Sequence, residues 1–331
     1  MSLPSTLVSD TVNDDLLPVE MPAIQRSVST NASHFQTIIR RILFAILVFT
    51  VIYAFAFPVA QVFVVVVKVA GYKVNLASAI VGVVFLIAFG LHVWRLMDRP
   101  ERKWYSSRGL SEEIKSFAWR FAVGGQPFST TQLSPGDAEV ALSKILRAFL
   151  RQAHKDRLEI PLPSDSSDLP FVTDWMAKAR KAPLTDRQTL YAEKRILNQL
   201  NYYLDRARRY RRKSRQWSAG TLAVEAVFAI AAAAHAVGFI SLDFFGVGAT
   251  LVAAGTSWVQ FNQYRALADL YSDMAFELGE FYRRCLRPAH PWTEDSWAAF
   301  VGAVESFLES EHGAWRKLVD PDSQAAMNLS D

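Results

Sequence analysis

A chain of 331 residues that is 51% hydrophobic and carries a formal charge of +4 is long enough for two ordinary soluble domains. Its apolar residues are instead massed in 42–94 and 217–261, with the basic excess beside them, a pattern that points to a membrane surface and argues against nucleic-acid binding. A single cysteine, Cys285, excludes an intrachain disulfide and any multi-cysteine metal site.

Residues 1–35 are rich in Ser, Thr, Asp, Asn and Pro without periodicity, so a disordered tail is expected there. Residues 42–67 then form a run of 26 without formal charge, against the ~20 needed to cross a bilayer. Pro58 interrupts this run and is expected to kink or end the span. The run begins only after Arg40 and Arg41 and is too long for a leader's apolar core, so no secretory signal is expected. A short turn over 68–73 containing Gly71 leads to a second uncharged run, 74–94. Arg26, Arg40 and Arg41 before the pair, with Arg95, Arg99, Arg102, Lys103 and Arg108 after it, outweigh Lys68 and Lys73 in the turn. The positive-inside bias therefore places both open ends of this hairpin in the cytoplasm.

After Pro100 the composition is that of a helical soluble region. Ser111 is expected to cap a helix ending before Gly124 and Gly125, and Ser134 with Pro135 to start another running to about His154. Residues 159–170, with three prolines, read as an irregular connection, and 173–181 as a short helix. Thr185 and Gln188 form a capping box for a long helix. On that helix Ile196, Leu200, Tyr203, Ala207, Tyr210, Ser214 and Trp217 alternate at four and three residues, a stripe facing a partner helix. Seven cations surround the stripe: Arg206, Arg208, Arg209, Arg211, Arg212, Lys213 and Arg215. The apolar runs 217–240 and 244–261 make a second hairpin opening toward the cytoplasm. Its helical pattern is expected to continue without pause through Tyr264, Leu267, Tyr271, Met274, Leu278, Phe281 and Cys285, giving two antiparallel stalk helices. Thr293 caps a last amphipathic helix to about Val319, with Phe300, Val304, Phe307 and Leu308 on one face, and 320–331 reads as a disordered tail. No strand is expected. The fold class is all-α: an integral membrane protein with two transmembrane hairpins, four spans in all, and a helical cytoplasmic region. The modules are 36–183 and 184–319.

Chemistry-bearing motifs are few. No phosphate loop or metal-spaced His/Cys set occurs, and Gly246-x-Gly248 lies inside a predicted span with Leu251 where a third glycine belongs, so those glycines read as packing positions. Glu311 and His312 are neighbours, and neighbouring helical residues point about 100° apart, which favours a surface or interhelical hydrogen bond over acid–base chemistry. No enzyme activity and no cofactor are expected. Glu225 is different: it lies about 12 Å past Trp217 by helical rise, at a depth where an ionised group costs on the order of 2.5–3.5 kcal/mol. Ser218, Thr221 and Glu225 form one polar stripe, and Thr250, Ser257 and Gln260 a weaker one. Three readings stand: the stripes bind helices together, with Glu225 neutral or hydrogen-bonded; they line a water-filled path in an oligomer; or Glu225 faces lipid and snorkels toward the surface. The basic cluster reads as a topology determinant contacting anionic lipids, worth about 1 kcal/mol per cation, with an anionic ligand as the other reading. Ser78 with Gly82 and Ala249 with Ala253 are small-residue pairs that permit close helix approach.

Separated motifs then become recognisable. Trp104-Tyr105, Arg108, the run from Ser111 through Glu112, Lys115, Trp119 and Arg120 to Phe121, and Gly124-Gly125-Gln126-Pro127-Phe128 precede a second set. That set comprises Pro183-Leu184, Arg187, Tyr191, Arg195-Ile196, Asn198-Gln199, Tyr202-Tyr203, Ala207, Glu225, Glu311-His312 and Trp315. Together, over roughly residues 95–318, they resemble the SLATT family, the SMODS- and SLOG-associating transmembrane effectors of prokaryotes. The resemblance implies a helical membrane protein that forms pores in or perturbs the bilayer. With the charge bias, which puts both termini inside the cytoplasmic membrane, it favours an effector that oligomerises with itself and permeabilises or depolarises that membrane. It also implies a nucleotide-regulated or other antiviral setting, with a separate nucleotide-signalling or sensor protein as partner. A non-conducting scaffold recruiting a cytoplasmic partner is the alternative.

Overall fold

The computed structural model describes residues 21–62, 65–69, 71–155, 158, 171–239 and 245–319. The helices are α1 (Ala23–Val62), α2 (Leu76–Asp98), α3 (Pro100–Val123), α4 (Pro135–Lys155), α5 (Asp174–Lys181), α6 (Leu184–Tyr191), α7 (Leu197–Ala236), α8 (Phe245–Asn262), α9 (Tyr264–Leu286) and α10 (Glu294–Val319). A π-helical turn, Ala192–Ile196, joins α6 to α7, so helix runs unbroken from Leu184 to Ala236. The described residues fall into two compact units. The first takes those within Met1–Phe35, Arg102–Asp205 and Tyr271–Lys317, and the second those within Gln36–Glu101, Arg206–Leu270 and Leu318–Asp331.

Several expectations hold. Thr173 caps α5 by accepting from Met176 N, and Thr293 caps α10 by accepting from Ser296 N. Helix α4 starts at Pro135, with Ser134 accepting from Asp137 N. The α9 stripe is real: Tyr264, Leu267, Tyr271, Leu278 and Cys285 are all buried. Facing it, Tyr203 stacks on Tyr271 at 5.9 Å in the first unit, and Tyr210 meets Tyr264 at 6.1 Å in the second.

Other expectations are corrected. Residues 23–35 belong to α1 rather than to a tail, because the polar composition conceals a helical stripe: Met21, Ile24, Val28 and Ala32 are buried, and Gln25 Nε2 donates to Ser111 Oγ at 3.1 Å. The first twenty residues, the 159–170 connection and the 320–331 tail lie outside the described residues. Ser111 is therefore a buried mid-helix acceptor and not a cap. Helix α3 begins at Pro100, proline being well suited to a first helical position, after Arg99 closes α2 in the left-handed conformation at φ 45°. Pro58 does not end α1, which continues to Val62.

Two strands appear where none was expected. β1 (Val66–Val69) and β2 (Tyr72–Asn75) pair antiparallel, Val69 opposite Tyr72, with Gly71 at φ +86° just before β2. The valine run from which β1 emerges is uniformly apolar, so it carries no period to separate strand from helix, while β-branching favours the strand. Helix α6 follows Pro183 without a side-chain cap, and the Thr185 hydroxyl donates to its neighbour Asp186 instead of accepting from a backbone N–H, so the capping box does not form. Finally, α8 and α9 are separated at Gln263, which adopts φ 45° without any glycine or proline to announce the break.

Among the described residues, three stretches of helix are long and apolar enough to cross a membrane: α1, α2 and the continuous helix ending with α7. No residue of the apolar window in α7 is buried by the chain itself. Helix α8 is shorter, at 18 residues. In the second unit Tyr53 of α1 meets Phe85 of α2 at 5.4 Å, and Asn75 caps α2 through Ala77 N while donating to Ala60 O.

Candidate functional site

Two places carry polar chemistry, one in each unit. In the first, the residues of the recognised motifs converge. The π-helical turn buries Arg195, whose Nε and Nη2 donate to the two carboxylate oxygens of Glu305 at 2.9 and 2.7 Å, and Tyr191 donates to Glu305 Oε1 at 2.8 Å. Burial works against the Arg195 charge, yet Glu305 outweighs it and raises the guanidinium above its ordinary value. Burial, and then the Glu305 charge, push the Tyr191 hydroxyl well above its ordinary value.

Around this pair, Arg120 donates to Ser116, the Gln126 carbonyl, Ser306 and Glu309, and Lys115 pairs with Glu112 at 3.1 Å. Arg187 binds Glu294 and the carbonyls of Val123 and Ala182. Although partial burial opposes it, hydrogen bonds from Arg187 and Thr130 hold Glu294 below the usual carboxylate value. Arg180 has no carboxylate among its hydrogen-bond partners. It donates to the carbonyls of Phe121, Phe128 and Leu133, and desolvation followed by repulsion from Arg187 lowers its pKa. A β-carbon on Gly125 would sit 2.3 Å from Val301, so only glycine allows this approach.

The remaining motif residues pack around the same core. Trp119 is sealed among Trp175 and Tyr191, and Phe128 lies against Phe117 and Phe121 with exposed Pro127 before it. Arg108 reaches the Tyr202 hydroxyl at 3.4 Å, Trp104 meets Tyr105, and Gln199 and Tyr203 share a small cavity with Glu112, Ser116, Arg195, Leu308 and Glu309. The side chains of Glu311, His312 and Trp315 lie outside the described residues. Sequence reading missed the acids of α10 that complete the ion pairs: Glu294, Glu305 and Glu309. A signal existed for Glu305, which falls one helical turn after Val301 on an apolar face and so demands a buried cation.

In the second unit, α7 and α8 enclose a groove of about 750 Å³ between them. Trp217 lies against Trp258 at 5.8 Å at one end. Further along, a β-carbon on Gly255 would lie 3.3 Å from Thr221 Oγ1, and one on Gly248 only 2.5 Å from the Phe228 ring. These contacts divide the expected polar stripe. Thr221 returns its hydroxyl to the Trp217 carbonyl at 3.0 Å and packs against α8, Ser218 is exposed, and Thr250 lies outside the groove. Glu225 and Ser257 do line it, joined by Thr256 and His235, which the sequence stripe did not include, and half of its lining is alanine or glycine, Ala249 and Ala253 among them. The basic cluster is likewise not uniform. Arg206 is buried, Lys213 lies over the Tyr210 and Tyr264 rings, and Arg211 is 3.9 Å from Asp269. Arg208, Arg209, Arg212 and Arg215 are exposed.

Long apolar helices, one of them carrying a single exposed carboxylate, and a helical core sealed by ion pairs fit a transmembrane protein. Two family models match it in tandem: SMODS and SLOG-associating 2TM effector domain 3 over residues 25–188, and SMODS and SLOG-associating 2TM effector domain 1 over residues 191–315. The chain belongs to this SLATT family of transmembrane effectors. No curated protein and no solved structure matches the chain.

Proposed function

We propose that this protein is a membrane effector that assembles from several copies and permeabilises or depolarises the cytoplasmic membrane, without catalysis of its own. One observation carries the reading. Glu225 sits on an apolar helical window of which the chain buries nothing, and it lines an open groove instead of meeting a cation. Facing lipid, that carboxylate would cost on the order of 2.5–3.5 kcal/mol per copy, and neighbouring copies that turn it toward a shared aqueous path remove the cost. The tandem match to two domains each described as 2TM supports four spans, α8 being the fourth, which put both ends of the chain on one side; the positive-inside bias makes that side the cytoplasm.

The exposed arginines of α7 then lie at the inner leaflet and bind anionic lipids. The family's name supports a setting in which a nucleotide-signalling or sensor protein triggers the effector, as in antiviral conflict systems. The test is dye and ion flux from liposomes carrying the purified protein, with chemical crosslinking in the same vesicles. Leakage together with multimers larger than the monomer is the expected result. Tight vesicles despite correct insertion overturn the reading in favour of a non-conducting scaffold.

A further inference from the structure

Across residues 42–67, 74–94, 217–239 and 245–262 the sequence contains a single formally charged side chain, Glu225. It is exposed and shares its groove with the hydroxyls of Thr256 and Ser257, which belong to the end nearer Trp217 and Trp258. His235 lines the same groove about 15 Å further along α7 by helical rise. No lysine or arginine lies on α7 beyond Arg215 or anywhere on α8.

Resting on the proposed function, we infer that the conducting path selects cations and that Glu225 is its selectivity determinant. A water path lined by copies of α7 and α8 presents hydroxyls, small apolar residues and a ring of carboxylates, with no fixed positive charge at membrane depth. Rings of acidic side chains favour cations, and the low dielectric around them strengthens the preference. The exposed arginines at the Trp217 end oppose this, since they repel cations at the mouth. They stand at the membrane surface, however, where counter-ions and water screen them within about 8–10 Å, whereas Glu225 acts where ions must shed water. Thr256 and Ser257 supply neutral oxygens that replace part of that lost hydration.

The test is the reversal potential of the full chain in planar bilayers under a tenfold KCl gradient. The wild type is expected to reverse toward the potassium equilibrium, with a cation-over-anion preference on the order of tenfold or more. Glu225→Gln is expected to conduct with a preference near unity, Glu225→Asp to keep it, and Glu225→Lys to invert it. A wild-type current with no cation preference overturns this inference and leaves the proposed function standing, as does an unchanged preference in a conducting Glu225→Gln. Absence of any wild-type current overturns both.

Discussion

Arg195 and Glu305 form a two-pronged ion pair with both side chains closed to solvent, at 3% and 0% exposure. Such a pair gains little over a well-packed apolar alternative, but breaking it leaves a buried charge alone and costs about 3–5 kcal/mol. Glu305→Ala is therefore expected to unfold the first unit or lower its thermal midpoint steeply. Glu305→Gln, whose one oxygen can still accept from Tyr191 and Arg195 Nε while its amide nitrogen faces Arg195 Nη2, should lose less. Thermal unfolding of the detergent-solubilised protein checks the order. Equal midpoints for wild type and Glu305→Ala would show that the pair does not hold this core together.

What the sequence disclosed and what it withheld differ for physical reasons. Helices α4, α5 and α10 were legible because a cap residue precedes a clear apolar period, and the α9 stripe because aromatic residues recur at heptad spacing. The start of α1 was hidden by its serines and threonines, which lie between the buried Ile24, Val28 and Ala32. The strand pair was hidden by a valine run without a period. Glu225 stood out because charge is costly at that depth, but a stripe drawn on one helix could not foresee that Thr221 turns toward Gly255 while Thr256 of α8 joins Glu225. Arg206 illustrates the same limit. Its place in a run of seven cations suggested lipid, whereas the fold buries it.

Stability should fall on the alkaline side, and Tyr191 is one cause. Its hydroxyl is raised well above the ordinary 10.0 by burial and by Glu305. A group raised in the folded state contributes stability that is complete below its unfolded value and is lost as pH climbs from there toward the folded value. The loss therefore begins above about pH 10. Thermal midpoints measured from pH 8 to 11 should decline at the upper end, and Tyr191→Phe should flatten that decline while lowering the midpoint at neutral pH. An equally steep alkaline decline in Tyr191→Phe would remove Tyr191 as a source.

Cys285 is 5% exposed, its backbone carbonyl accepts from Trp292 Nε1, and burial pushes its thiol up to about 12. Because the thiolate is the reactive species, a maleimide added to the native protein at pH 7 should label it slowly from either side of the membrane and rapidly after denaturation. Topology is better read from a cysteine placed at exposed Asp273 in a Cys285→Ala background. Fast labelling of native Cys285 in opened vesicles would show that the α9 seam opens at this point.

Gly248 and Phe228 give the sharpest test of how α7 meets α8. An added β-carbon would fall 2.5 Å from the Phe228 ring, well inside contact distance, so Gly248→Ala must push the two helices apart or turn the ring. Overpacking of this kind costs about 1–3 kcal/mol. Gly248→Ala alone is expected to lower the unfolding midpoint of the solubilised protein, and Phe228→Ala alone to lower it through lost packing. The double variant should recover part of the first loss, because removing the ring removes the clash. A double-mutant cycle reports this as a favourable coupling on the order of 1 kcal/mol, the size expected for residues in contact. Additive losses would mean that the ring does not rest on Gly248. The groove beside Glu225 would then need a different wall from the one Phe228 provides.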